Sequence, residues 1–83
     1  MVSAESHELI RRAELYYEQH LKAKLEASHR DSFVAIEPDS GDYFLGRTLS
    51  EAANAARAAH PQRRAHIMRV GHRTAVHFGV LTR

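Results

Sequence analysis

Phe33-Val34-Ala35-Ile36-Glu37 and Asp42-Tyr43-Phe44-Leu45 flank the run Pro38-Asp39-Ser40-Gly41, and this arrangement constrains the fold more than any other stretch of the chain. β-Branched and aromatic residues bounded by Pro, Asp, Ser and Gly predict a β-hairpin. If Glu37 pairs with Asp42, then Val34, Ile36, Tyr43 and Leu45 share one face while Phe33, Ala35 and Phe44 share the other. Both faces are then apolar. A sheet of that kind needs cover on both sides, from two helices or from a neighbouring subunit.

Two helices are legible. From about Ala4 to Ser28, Ile10, Tyr17, Leu21 and Leu25 fall on one stripe, with Leu9, Ala13, Tyr16 and His20 on an adjacent one. Glu8 with Arg12 and Glu18 with Lys22 stand at i,i+4, the spacing of a solvated face. A helix of about 25 residues is ~37 Å long. That exceeds the small sheet it could lie on, so part of its apolar arc is expected to meet another chain. Thr48-Leu49-Ser50-Glu51 has the form of a capping box and opens a second, alanine-rich helix, which His60-Pro61 ends.

Beyond it, Ala65 to Val70 reads as a third strand and Thr74 to Phe78 as a fourth, with Gly71-His72 as a two-residue II′ turn and Val70 opposite Arg73. That register puts Ile67, Thr74, Val76 and Phe78 on a core face, and His66, Met68, Val70, Arg73, Ala75 and His77 on the other. A helix joining strands two and three makes a right-handed crossover if those strands are parallel. The expected fold is α+β: a long N-terminal helix and then β-β-α-β-β, a four-stranded mixed sheet packed by helices. It forms a single domain over 1–83, with the helix over 1–30 and the ββαββ core over 33–80.

Composition narrows the class. A chain of 83 residues buries a thin core, and with no cysteine it has neither disulfides nor thiolate metal cages. Oligomerisation is the remaining common remedy. No apolar run approaches the length of a membrane span, and Met1 to Ile10 lacks the order of a signal peptide, so the expected location is the cytoplasm. Charge is unevenly spread: residues 1–51 hold six Lys and Arg against ten acids, net −4, whereas residues 52–83 hold six Arg and no acid, net +6. Such asymmetry points to an anionic partner or to a second copy docking acid on base.

Catalytic chemistry finds little support. The serines lie in termini, turns or the capping box, where hydroxyls make local hydrogen bonds. No cofactor-binding loop is present, since the glycines are isolated. The expected hairpin register sets His66 across from His77, close enough for both to ligate one ion or, as imidazolium groups, to repel and sense pH. A third ligand would have to come from the hairpin or the first helix, and the plainer reading is two solvated histidines. The arginines are the better candidates: Arg63, Arg64, Arg69 and Arg73 could meet an acidic protein or, alternatively, track a nucleic-acid backbone, although exposed aromatics are not interleaved with them.

The run Val34-Ala35-Ile36-Glu37-Pro38-Asp39-Ser40-Gly41-Asp42-Tyr43-Phe44-Leu45-Gly46, with Thr48, Glu51-Ala52, Ala56-Arg57, Pro61 and Arg69-Val70-Gly71, resembles a group of small bacterial proteins with a domain of unknown function. The likeness spans roughly Leu25 to Gly79. Genes of that group sit beside small partner genes, including retropepsin-like proteases and toxin-antitoxin-like pairs, so the resemblance implies a protein-binding accessory and carries no catalytic residues. The function expected is a non-enzymatic interaction module, homo-oligomeric through Ile10, Tyr17, Leu21, Leu25 and Phe44, with a basic C-terminal hairpin for an acidic partner.

Overall fold

A computed structural model describes residues 4–72. Its elements are α1 (Ala4–Tyr16), a π-helical turn (Tyr17–Leu21) and α2 (Lys22–Ser28), which together form one long helix, then β1 (Phe33–Glu37), β2 (Asp42–Gly46), α3 (Leu49–Ala59) and β3 (His66–Arg69). The architecture is α+β, a helix followed by a three-stranded antiparallel sheet with a second helix.

The π turn has a cause in the sequence. Ile10, Ala13, Tyr17, Leu21 and Leu25 are all buried, and the last three steps are four residues each. In an ideal α-helix every four-residue step overshoots by ~40°, so three of them would turn Leu25 ~120° off the face. Between Tyr17 and Leu21 the helix widens, with the Lys22 N–H donating to the Tyr17 carbonyl, an i→i+5 bond. The wider turn keeps Tyr17, Leu21 and Leu25 aimed at the same sheet.

β1 lies at the centre of the sheet, in the order β2-β1-β3. The first hairpin has the expected register, Val34 opposite Leu45 and Glu37 opposite Asp42. β3 pairs with β1 in antiparallel register, Phe33 opposite Arg69 and Ile36 opposite His66. β2 and β3 therefore point the same way with β1 between them, and neither ladder among the described residues is parallel, in place of the mixed sheet expected. The fourth strand, Thr74 to Phe78, lies outside the described residues.

Each face of the sheet has its own core. On one side Ala13, Tyr17, Leu21 and Leu25 of the long helix pack on Val34, Ile36, Met68 and Val70, with Tyr43 and Leu45 at the margin. On the other, Ala52 and Ala56 of α3 pack on Ala35 and Ile67, with Phe33 and Phe44 beside them. The double cover expected of the hairpin comes from the chain's own two helices. The face holding His66, Met68 and Val70 is buried as fully as the one holding Ile67, so the single core face expected for the third strand is corrected to two.

The same burial bears on the residues expected at a subunit contact. Ile10, Tyr17, Leu21 and Leu25 are at most 9% exposed within one chain, and Phe44 packs beside α3. The long helix spends its apolar arc on its own sheet, because the π turn holds that arc in phase.

α3 starts where the sequence predicts. The Thr48 hydroxyl accepts from the Glu51 N–H at 3.1 Å, and Glu51 Oε1 accepts from the Arg47 N–H at 2.8 Å. Gly46 lets the helix approach: a Cβ there would stand 2.5 Å from the Ala52 nitrogen. Glu37 is 1% exposed at the hairpin end, where its carboxylate accepts from the Asp39 and Ser40 N–H groups at 3.0 and 2.9 Å. The turn residues thus satisfy a charge that the strand buries.

Candidate functional site

Among the described residues β3 is an outer strand of the sheet, hydrogen-bonded to β1 on one side. Val70 donates its N–H to the Ser32 carbonyl at 2.7 Å and accepts from the Asp31 N–H at 2.9 Å, so its backbone faces β1. Alternation along an antiparallel strand then turns Ile67 and Arg69 outward. The Arg69 carbonyl accepts from the His72 N–H at 3.2 Å, closing a β-turn whose third residue, Gly71, has φ +86°. This is a turn of type II form centred on Val70 and Gly71. The expected II′ turn centred on Gly71 and His72, with Val70 opposite Arg73, is displaced by one residue because Val70 is held in the ladder with Ser32.

Two grooves flank this edge, and they differ in charge. On the α3 side, a groove of about 140 Å³ has a floor of Ala53, Ala56, Ala65 and Ile67 and a rim of Arg57, Arg63 and Arg64, with no acidic side chain in its lining. On the side of the long helix, a groove of about 520 Å³ is lined by Glu14, Glu18 and Glu26 with Arg11 and Lys22, and by Leu15, Met68, Gly71 and His72. Leu15 is 49% exposed there. The division of charge along the sequence becomes a division across one sheet edge.

The expected anionic-partner contacts are placed unequally. Arg63 stands on the rim, 3.7 Å from Glu37 Oε1 and 3.6 Å from Asp39 Oδ2. Arg64 is exposed beside it. Arg69 is exposed but engaged within the chain: its Nε donates to the Asp31 carbonyl at 3.4 Å and its guanidinium lies 5.6 Å above the Phe33 ring. Arg73 lies outside the described residues. Arg57, which the sequence presents only as part of a basic stretch, completes the rim and donates to Asn54 Oδ1 at 3.1 Å. Its signal was the alanine-rich face of α3, which brings the helix against the sheet and carries Arg57 to the edge.

His66 is not on an exposed face. It is 1% exposed beneath the long helix, with Nε2 3.9 Å from Glu14 Oε2. Glu14 is thus the carboxylate that helix 1 brings to this histidine, while His77 lies outside the described residues. Among the described residues no three His, Cys, Asp or Glu side chains gather as a metal cage would require.

Ser28 Oγ lies 2.7 Å from His29 Nδ1, which resembles a nucleophile and its base. The hydroxyl proton, however, is donated to the Lys24 carbonyl at 2.9 Å. The ring nitrogen can then only donate to the oxygen, the reverse of what general-base activation needs.

Among the described residues no helix is long and apolar enough to cross a membrane. No family model, curated protein or solved structure matches the chain. The functional reading therefore rests on these residues.

Proposed function

We propose that this chain is a non-enzymatic protein-interaction module that meets an acidic segment of a partner protein along the rim formed by Arg57, Arg63 and Arg64. The observation that carries this reading is three guanidinium groups around one groove whose lining holds no acid. Arginine suits the task, since its planar fork accepts a carboxylate in two parallel hydrogen bonds. Four of the residues expected at a subunit contact, Ile10, Tyr17, Leu21 and Leu25, are buried within one chain, which favours a separate protein over a second copy meeting there.

The four-stranded sheet expected from the sequence, with Thr74 to Phe78 as the strand that follows β3, belongs to the same proposal, and so does a cytoplasmic location, which the absence of cysteine favours. Nucleic-acid binding ranks below protein binding, since Arg69 is engaged within the chain and its aromatic neighbour Phe33 lies beneath it.

A fluorescent peptide alternating Glu with apolar residues tests the reading by anisotropy. Binding should exceed that of a matched Lys peptide, weaken with salt, and fall about tenfold in an Arg57→Glu, Arg64→Glu variant, a change of ~1.4 kcal/mol. Equal binding of the two peptides would refute it. Duplex DNA bound more tightly than the acidic peptide, with a steep salt slope, would replace it by the nucleic-acid reading.

A further inference from the structure

We propose that Asp39 is a built-in stand-in at the acidic partner's site: its carboxylate, bracketed by Arg12 and Arg63, holds the position that a carboxylate of the partner takes on binding. The inference rests on the reading above and deepens it, adding Arg12 to the site and a competitor that the chain itself carries.

The hairpin turn does not need the charge. Glu37 Oε2 and Oε1 accept from the Asp39 and Ser40 N–H groups, the Glu37 carbonyl accepts from the Gly41 N–H at 2.9 Å, and Ser40 Oγ accepts from the Asp42 N–H at 3.1 Å. Glu37 and Ser40 thus close the turn, where Asn would serve at position 39 as well as Asp. The Asp39 carboxylate instead meets two distant parts of the chain. Its Oδ1 accepts from Arg12 of α1 at 2.6 Å, and its Oδ2 lies 3.6 Å from a guanidinium nitrogen of Arg63, in the loop between α3 and β3. Each oxygen has its own arginine, the arrangement in which a partner's carboxylate is held by charge-assisted bonds.

Arg63 faces two carboxylates of its own chain, and they differ in kind. Glu37, 3.7 Å away, is buried with both oxygens bonded to backbone N–H groups, so it stays. Asp39, Arg12 and Arg63 are accessible, with side chains 54%, 42% and 51% exposed. An ion pair this exposed is weakly held, and another carboxylate can replace it. Glu8, which lies beside Arg12 in the same groove, bonds Arg11 at 2.7 Å instead. Asp39 is the exchangeable acid on the clamp.

Placement joins the clamp to the rim. Arg63 and Arg64 line both the groove on the α3 side and a second groove of about 560 Å³, where Leu9, Arg12 and Asp39 join them. A segment alternating Glu with apolar residues that crosses Arg63 meets Arg12 next, with Leu9 beside it for an apolar side chain. The resting chain therefore binds acidic segments less tightly than its arginines allow, by the fraction of molecules in which Asp39 holds the clamp.

The test uses the full chain and the acidic peptide. Asp39→Asn keeps a residue suited to the turn and should tighten binding at least about threefold. Glu18→Gln makes the same change of net charge on an acid paired with Lys22, and salt screening should leave its affinity within a factor of ~1.5 of the parent. Adding Arg12→Gln to Asp39→Asn should abolish the gain, because one arm of the clamp is then missing. Urea midpoints show that each variant is folded. Unchanged or weaker binding by Asp39→Asn would overturn the inference and leave Asp39 as a tie between hairpin and helix; an equal gain in Glu18→Gln would overturn it in favour of net charge. The rim reading is judged separately, on the parent's preference for the acidic over the Lys peptide. Should that preference be missing, a gain in Asp39→Asn that Arg12→Gln abolishes would still assign the clamp.

Discussion

His72 Nε2 lies 2.7 Å from Asp31 Oδ1 across 41 residues of sequence, and this contact clips the loop before β1 to the turn after β3. The backbone of Asp31 takes part as well, its N–H donating to the Val70 carbonyl at 2.9 Å and its own φ at +76°. The hydrogen bond from His72, helped by that residue's charge and by Arg69 and Arg30, holds the Asp31 carboxyl below its ordinary value. A carboxyl depressed in the folded state adds stability above the unfolded value of ~3.9 and loses it as pH falls through the folded one. Asn keeps the left-handed backbone accessible while removing the charge. Asp31→Asn should therefore lower the urea midpoint at neutral pH, and the gap should close in acid. A gap unchanged across that range would assign the effect to the backbone instead. The effect should be small, since the pair is exposed.

Tyr17 gives the alkaline counterpart. Burial, and after it the hydrogen bond its hydroxyl donates to Glu26 Oε2 at 2.9 Å, push the Tyr17 phenol up to about 12. A group raised in this way contributes stability that is complete below its unfolded value and is lost as pH rises toward the folded one. Stability should decline between about pH 10 and 12. In Tyr17→Phe that slope should flatten, as followed by denaturant midpoints; an unaltered slope would place the titration elsewhere.

Leu21 and Leu25 are 2% and 1% exposed, at the centre of the core between the long helix and the sheet. Leu25→Ala should cost about 2–5 kcal/mol, transfer and cavity terms together. Leu21→Lys should lose the cooperative unfolding transition rather than convert an oligomer to a folded monomer. A folded, cooperative Leu21→Lys monomer derived from a larger parent, seen by light scattering and circular dichroism, would restore these residues to a subunit contact.

Gly46 is where β2 passes closest to α3. Because a methyl group would meet the Ala52 nitrogen at 2.5 Å and the Glu51 Cβ at 2.7 Å, Gly46→Ala must push the helix start off the strand. The expected loss is about 1–3 kcal/mol, measured by chemical denaturation. A neutral substitution would mean that α3 slides without cost.

The N-cap predicts a smaller loss. Thr48→Ala removes the acceptor for the Glu51 N–H and should destabilise by about 1 kcal/mol, whereas Thr48→Ser should restore most of it. Equal loss in both variants would show that the methyl group, not the hydroxyl, carries the effect.

The sequence alone determined the local elements and their faces. Turn residues at Pro38 to Gly41 and alternation on either side set the register of the first hairpin, and with it the two apolar faces; the capping box at Thr48 and the proline after His60 set the limits of α3. These are short-range effects, in which each residue's own geometry or its neighbours within a turn decide the outcome. Tertiary structure decided what covered what. Steps of four between Ala13 and Leu25 acquired their π turn only against a sheet that rewards keeping Tyr17, Leu21 and Leu25 in phase. β3 took its place beside β1 rather than β2, burying His66 and Met68, because strand order depends on contacts between distant segments that no local pattern encodes. The arginines follow the same division: their number and the lack of acid near them along the chain stand in the sequence, but only the packing of α3 on the sheet gathers Arg57, Arg63 and Arg64 on one rim, and only the fold sets Arg69 against the Asp31 carbonyl and Phe33.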